Sequence, residues 1–126
     1  YATPQEMLDD FDIKGQLIPT EVPEEFGTPT CRASKDRSGL KLEILYEDKE
    51  RYIFFWYKQI SKDNAADVEK NDQMISSWNY GGIKHYQLTD NEAEKIAWVN
   101  GDFECHASGN VAKEDMSQVI KSIYGG

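Results

Sequence analysis

Hydrophobic and polar residues alternate through the middle of the chain, which is the pattern of half-buried β-strands. Two such runs lie within residues 40–60, on either side of the charged stretch 47–50. They predict a β-hairpin with a turn at 47–50. The expected cross-strand pairs are Tyr46 with Arg51, Ile44 with Ile53, and Leu42 with Phe55. The two apolar pairs share one face of the hairpin, which we assign to the core.

The opposite face of this hairpin is also apolar, because it carries Leu45, Tyr52, Phe54 and Trp56. Such a face is too apolar for bare solvent, so either another element covers it or it is a binding surface. Ordinary core packing and a groove for a peptide or a lipid are the two interpretations. The candidate binding residues are Tyr52, Phe54, Trp56, Trp78 and Tyr80.

Further strands are indicated on both sides of the hairpin, each bounded by polar residues or glycines. The expected strands are 28–33, 73–80 and 83–88, with turns or loops at 34–39, 61–72, 81–82 and 89–92. The loop 61–72 has room for one helical turn at 65–69.

A second hairpin is predicted at 95–107, because Asn100-Gly101 is a strong signal for a two-residue turn. Its expected pairs are Val99 with Asp102, Trp98 with Phe103, and Ile96 with Cys105. The opposite face carries Lys95, Ala97, Glu104 and His106. One apolar and one polar face are typical of an antiparallel sheet that is covered on one side.

Helices are predicted at the two ends of the chain. Thr3 can cap a short helix with Pro4 in its first turn and Glu6 in the capping-box position, ending by residues 10–12. The second helix spans 111–123 and has an apolar stripe for the sheet. The stripe consists of Ala112, Met116, Val119, Ile120 and Ile123, and Gly125 follows as a C-cap.

Together these elements predict an α+β fold, with a curled antiparallel sheet of about 6–7 strands, a C-terminal helix packed on it and a short N-terminal helix. Pro19 and Pro23 exclude a regular helix or a central strand, so an extended edge segment is expected there. The 126 residues are expected to form one domain, with a core at 17–124 and a helical lead-in at 1–16.

The net charge limits the partners of the chain. With 23 acidic and 14 basic residues, the formal charge is −9, and nucleic acid and anionic membranes should be repelled. No apolar run reaches the roughly 18 residues of a transmembrane helix. Membrane attachment is therefore expected only through a segment outside this sequence. Since the sequence starts at Tyr1, a signal or an anchor ahead of it is left open.

The cysteines and histidines do not form a known metal or redox motif. Cys31 and Cys105 leave two alternatives open, one disulfide or two separate buried thiols. Zinc needs three or four converging ligands, which argues against a zinc site at the two histidines. His85 and His106 are therefore expected to be ordinary surface residues of the sheet.

Acidic side chains are the remaining candidates for catalysis. Glu43 and Glu104 lie in the middle of predicted strands and could face a groove. A glycosidase-type enzyme needs two carboxyl groups in one cleft, whereas solvated acidic faces are far commoner. No Gly-rich phosphate loop and no nucleophile elbow is present. We therefore predict a protein that is not an enzyme, with no catalytic residue, metal ion or cofactor.

The order of several short motifs resembles a known family over residues 17–124. The residues that carry the resemblance are Pro19, Pro23, Tyr46, Tyr52, Ile53, Gly82, Trp98, Gly101, Met116, Ser122 and Ile123. The family is the bacterial domain-of-unknown-function family numbered 4367. At Ala112, where this family tends to place a capping Ser, the helix cap is expected to be weaker or to shift to Asn110.

The resemblance implies an extracytoplasmic domain of a Gram-positive bacterium, on the cell surface or secreted. Similar domains look like the outer parts of membrane-bound anti-sigma factors or of lipoprotein-type proteins. The family has no established activity, so the resemblance implies no catalytic residues.

These observations predict a non-enzymatic extracytoplasmic module that binds or senses a protein or a hydrophobic ligand, as part of a membrane-anchored or lipoprotein-type protein. A hydrolase that uses acidic residues and a structural spacer domain are the alternatives. An exposed aromatic patch would favour the binding module. Two carboxyl groups about 5–10 Å apart in a concave site would favour the hydrolase, and a spacer would show neither feature.

Overall fold

Buried and more exposed residues alternate along the strands, so one face of the sheet is buried. Two helices complete the described fold. The computed structural model describes residues 3–13, 16–37, 39–60, 76–90 and 93–124. The helices are α1 Pro4–Asp10 and α2 Lys113–Ser122, with a 3-10 turn at Glu24–Phe26. The strands are β1 Thr30–Asp36, β2 Gly39–Glu47, β3 Tyr52–Gln59, β4 Ser76–Tyr80, β5 Ile83–Asp90, β6 Ala93–Asn100 and β7 Phe103–Gly109. The predicted α+β class is confirmed.

The seven described strands form one antiparallel sheet in the order β1-β2-β3-β7-β6-β5-β4. The first three strands and the last four are two meanders, and only the pairing of β3 with β7 joins them. The aromatic strand β3 therefore lies in the interior of the sheet, while β1 and β4 are its edges.

The turn of the first hairpin lies one residue later than the sequence indicated, at 48–51 instead of 47–50, so the predicted pairing register is wrong by two residues. The observed pairs are Tyr46 with Ile53, Ile44 with Phe55, and Leu42 with Tyr57. Asp48 closes the turn, because its backbone N–H donates to the Arg51 carbonyl and its carboxylate accepts from the backbone N–H groups of Glu50 and Arg51. A slip of two residues keeps every side chain on its face, so the assignment of the core face is confirmed.

The second hairpin departs from its prediction in the same way. The observed pairs are Asn100 with Phe103, Trp98 with Cys105, and Ile96 with Ala107. The turn residues are Gly101 and Asp102, and only Gly101 has a positive φ, at 59°, as in a type II′ turn. Asn100 instead ends the strand and donates its side-chain N–H to the Gln16 carbonyl over 2.8 Å.

The described residues ahead of β1 contribute no strand to the sheet. The capping box of Thr3 and Glu6 is present at α1, as predicted. The extended edge segment expected around Pro19 and Pro23 is wrong, because no strand forms there. Backbone N–H groups of Thr20 and Glu21 donate to the Ser122 hydroxyl at 3.2 and 3.1 Å, which ties this segment to the end of α2.

The core lies between α2 and one face of the sheet, which we call the core face. Met116, Val119, Ile120 and Ile123 are buried there, as the apolar stripe predicted. Ala112 is exposed, so its assignment to the stripe is wrong. It is the N-cap of α2 and makes no side-chain hydrogen bond.

The cap has not moved to Asn110 either, because that side chain serves the sheet. Its amide nitrogen donates to the Glu50 carbonyl at 2.9 Å, and its oxygen accepts from the Tyr52 backbone N–H at 2.8 Å. Of the two outcomes expected at the start of α2, the structure has the weaker cap.

Replacing Ala112 with Ser should therefore stabilise the protein by about 1 kcal/mol, because a hydroxyl at the N-cap can accept from the backbone N–H groups of the first turn. Urea unfolding of the two proteins measures the difference. Lys113→Ser places the same hydroxyl one residue inside the helix and should not stabilise. Equal unfolding midpoints for Ala112→Ser and the parent protein would contradict the prediction.

Several element boundaries differ from the prediction by a few residues. β1 starts and ends later than 28–33, and β5 continues past 88 to Asp90. The predicted loop 61–72 with its helical turn at 65–69, the start of the strand at 73–75, the turn tip at 91–92 and the C-cap at Gly125 lie outside the described residues.

Candidate functional site

The face of the sheet opposite α2, which we call the outer face, carries an aromatic strip from β3. Tyr52, Phe54 and Trp56 alternate along this strand with the fully buried Ile53 and Phe55. All three aromatic side chains are half-buried and lie outside the hydrophobic core. The described helices bury their apolar residues on the core face. The strip thus keeps part of its aromatic surface in contact with solvent.

The structure separates Trp78 and Tyr80 from this strip. Both lie on the edge strand β4, and Trp78 pairs with His85, whose side chain is buried on the core face. The Lys121 ammonium lies 5.8 Å from the Trp78 ring and 5.6 Å from the Tyr80 ring. The predicted binding set is therefore two groups on opposite faces, and only the β3 group is a candidate for the outer face.

Trp56 is the centre of the outer face, because cross-strand pairing places charged and aromatic groups on both sides of it. Glu43 of β2 is its neighbour on one side and His106 of β7 on the other. The His106 ring stacks on the indole with 3.8 Å between centroids and 6° between planes. The Lys41 ammonium lies 5.3 Å from the indole centroid. Cation–π and stacking contacts of this kind hold the indole in place between its neighbours on β2 and β7.

Both predicted mid-strand carboxylates lie on the outer face, and each has a partner. Glu43 accepts from Arg32 at 3.2 Å. Glu104 lies 2.8 Å from the Nε2 atom of His106 and is only 7% exposed, although a solvated face was expected for it. Ala97 is buried on this face as well. Both residues lie on the face opposite the core, as predicted, but the expectation that this face is solvated is wrong at Ala97 and Glu104.

A shallow depression of about 360 Å³ lies beside the aromatic strip. Its lining residues are Thr30, Arg32, Glu43, Leu45, Glu47 and Phe54. Four of these six side chains carry polar or charged groups, and Leu45 and Phe54 add apolar surface, so the depression suits a ligand that has both polar and apolar groups.

The two histidines have different environments, and only His106 reaches the outer face. His85 is 0% exposed, so its predicted surface position is wrong. It stacks on Trp78 with 4.3 Å between centroids, and its Nε2 atom lies 2.8 Å from the Tyr124 hydroxyl. Burial lowers the pKa of His85 to about 4, so the ring is neutral at pH 7.

The structure keeps Cys31 and Cys105 as separate buried thiols. They lie on β1 and β7, which β2 and β3 separate. Three strand spacings amount to about 14 Å, well beyond the Cα distance that a disulfide can span. Of the two predicted alternatives, the structure has the two separate buried thiols. Burial raises the pKa of the Cys105 thiol, which makes it a poor nucleophile.

The described part of the chain carries neither a cluster of metal ligands nor a helix that could span a membrane. No group of three or more His, Cys, Asp or Glu side chains there is arranged to hold a metal ion. None of the helices in these ranges has the length and apolarity that a membrane span requires.

Comparison with known proteins gives the family. The profile of the family described as domain of unknown function DUF4367 matches residues 16–123, most of the chain. The protein therefore belongs to this family, as the resemblance over 17–124 indicated. No curated protein and no solved structure gives a significant match.

Proposed function

We propose that this domain is a non-enzymatic binding module that holds a segment of a partner protein against its outer face. The observation that carries the proposal is the aromatic strip of Tyr52, Phe54 and Trp56. Three large aromatic side chains on an interior strand stay half-exposed there, outside the core. Exposed apolar patches of this kind mark interaction sites.

The surroundings of the strip favour a protein over a lipid. Protein interfaces combine aromatic residues at the centre with a polar rim. Here Arg32, Glu43 and Lys41 surround the indole of Trp56, and charged side chains also line the adjacent depression beside Leu45 and Phe54. A site for an apolar lipid would instead be a concave cavity lined mainly by hydrophobic side chains. The extracytoplasmic location stays a prediction from the family resemblance.

Selection of binding peptides tests the proposal and does not require the natural partner. Short random peptides displayed on phage are selected against the immobilised protein, and the enriched sequences are then synthesised. They should bind about tenfold or more weakly to Trp56→Ser and to Phe54→Ser, because aromatic residues at an interface centre carry much of the binding energy. Fluorescence anisotropy gives the Kd values.

Tyr80→Ser is the matched control, since Tyr80 is a half-exposed aromatic residue outside the outer face. This variant should bind the peptides as the parent protein does. Thermal unfolding of each variant establishes that the fold is kept. No enrichment above the bare support, or peptides that bind all variants equally, would overturn the proposed function.

A further inference from the structure

Two lysines lie opposite each other beside Trp56. Lys41 of β2 and Lys58 of β3 are direct cross-strand partners on the outer face. Like charges in directly opposed positions destabilise a sheet. Trp56 precedes Lys58 by two positions on β3, so the indole and both ammonium groups share one surface.

The nearby carboxylates of the described residues form no ion pair with either lysine. Glu104 is the cross-strand partner of Lys58, but it is engaged with His106 at 2.8 Å. Glu43, the neighbour of Lys41 two positions along β2, is engaged with Arg32 at 3.2 Å. Within the described ranges, neither lysine forms an ion pair. Two ammonium groups therefore lie next to the indole of Trp56, in a chain whose net charge is −9.

From this arrangement we propose that the partner segment is acidic, and that it places a carboxylate between Lys41 and Lys58 while an apolar side chain contacts the exposed part of Trp56. This inference rests on the proposed function and specifies its ligand. Charge complementarity supplies the argument, because an acidic segment is repelled by most of this protein and attracted at this place. An anionic membrane would meet the same lysines, but its extended surface would also meet the acidic remainder of the chain.

The selected peptides test this inference directly. They should be enriched in Asp and Glu relative to the starting library, and Lys41→Gln/Lys58→Gln should weaken their binding about tenfold, as for charge pairs at an interface. Each peptide is compared with a version in which Glu and Asp become Gln and Asn. The amide version should bind weakly to the parent protein, and the double variant should not distinguish the two versions.

Lys84→Gln is the matched control for the loss of a lysine. Lys84 also lies over an aromatic ring, with its ammonium 5.2 Å from Tyr86, but on β5, which two strands separate from β3. This variant should bind acidic peptides as the parent protein does. Raising the salt concentration should weaken the parent more than the double lysine variant, since screening acts on the charge contact.

The possible failures of the two proposals are distinguishable. Peptides that depend on Trp56 but lack acidic enrichment and ignore the lysines would overturn the acidic partner and leave the binding face in place. Peptides that ignore Trp56 as well would overturn both. Phosphatidylglycerol vesicles that bind through the two lysines, while acidic and amide peptides bind equally, would replace the protein segment by a lipid headgroup and overturn the inference.

Discussion

Replacing Trp98 with alanine should lower the free energy of unfolding by about 3–5 kcal/mol, the range for large-to-small changes in a packed core. Trp98 is 0% exposed and lies on the core face of β6, opposite Cys105. Its ring centroid lies 5.4 Å from that of His85. Removing the indole therefore opens a cavity in the buried core.

Urea unfolding at neutral pH measures this loss. Trp98→Phe is the informative companion, because the indole N–H makes no hydrogen bond within the described residues. The phenylalanine variant has a smaller ring but lacks no polar contact of the parent protein. Its free energy of unfolding should therefore fall clearly less than that of the alanine variant. An alanine variant as stable as the parent protein would place Trp98 at the surface and reverse the register of the second hairpin.

Acidification should destabilise the protein through His85, by up to about 3 kcal/mol between pH 6.5 and pH 4. Burial lowers the pKa of this histidine from 6.5 to about 4 in the folded state. Below pH 6.5 the unfolded chain binds a proton at this position, while the folded chain does not until about pH 4. The stabilisation is therefore fully present above pH 6.5 and is lost as the pH falls through this window.

Carboxylates titrate in the same window, so the contribution of His85 is isolated by a difference measurement. The free energy of unfolding is measured from pH 7.5 to pH 4.5 for the parent protein and for His85→Gln, which can still hydrogen-bond the Tyr124 hydroxyl. The variant should lose less stability on acidification, by about 1.4 kcal/mol per pH unit at most. Parallel pH profiles would show that His85 does not control the acid sensitivity.

The sequence was sufficient to predict which face each residue of the two hairpins occupies, but not the pairing register. Side chains alternate with a period of two, so the face assignment survived a slip of two residues in each hairpin. The register depends on the turns. Asp48 closes the first turn through three hydrogen bonds, and Gly101 takes the first turn position in the second. Neither choice follows from hydrophobic periodicity.

The candidate site was predictable only where it lies on one strand. Tyr52, Phe54 and Trp56 follow from alternation along β3. Trp78 could not be separated from them, because the face that β4 presents depends on its pairing with β5. The stack of His106 on Trp56 joins residues from β3 and β7, which are far apart in sequence. Lys41 and Lys58 lie on predicted strands, but their opposition depends on the register.

The pairing of β3 with β7 determines when the sheet can be completed during folding. Strand β3 ends at Gln59 and β7 begins at Phe103, so the two meanders cannot join until β7 has been made. Contacts between such distant segments slow folding, because a long loop must close before they form. Until then β3 is an open sheet edge that bears Phe54 and Trp56, which is the kind of edge that pairs with other chains. The aromatic surface that we assign to recognition is therefore also an aggregation-prone part of the nascent chain.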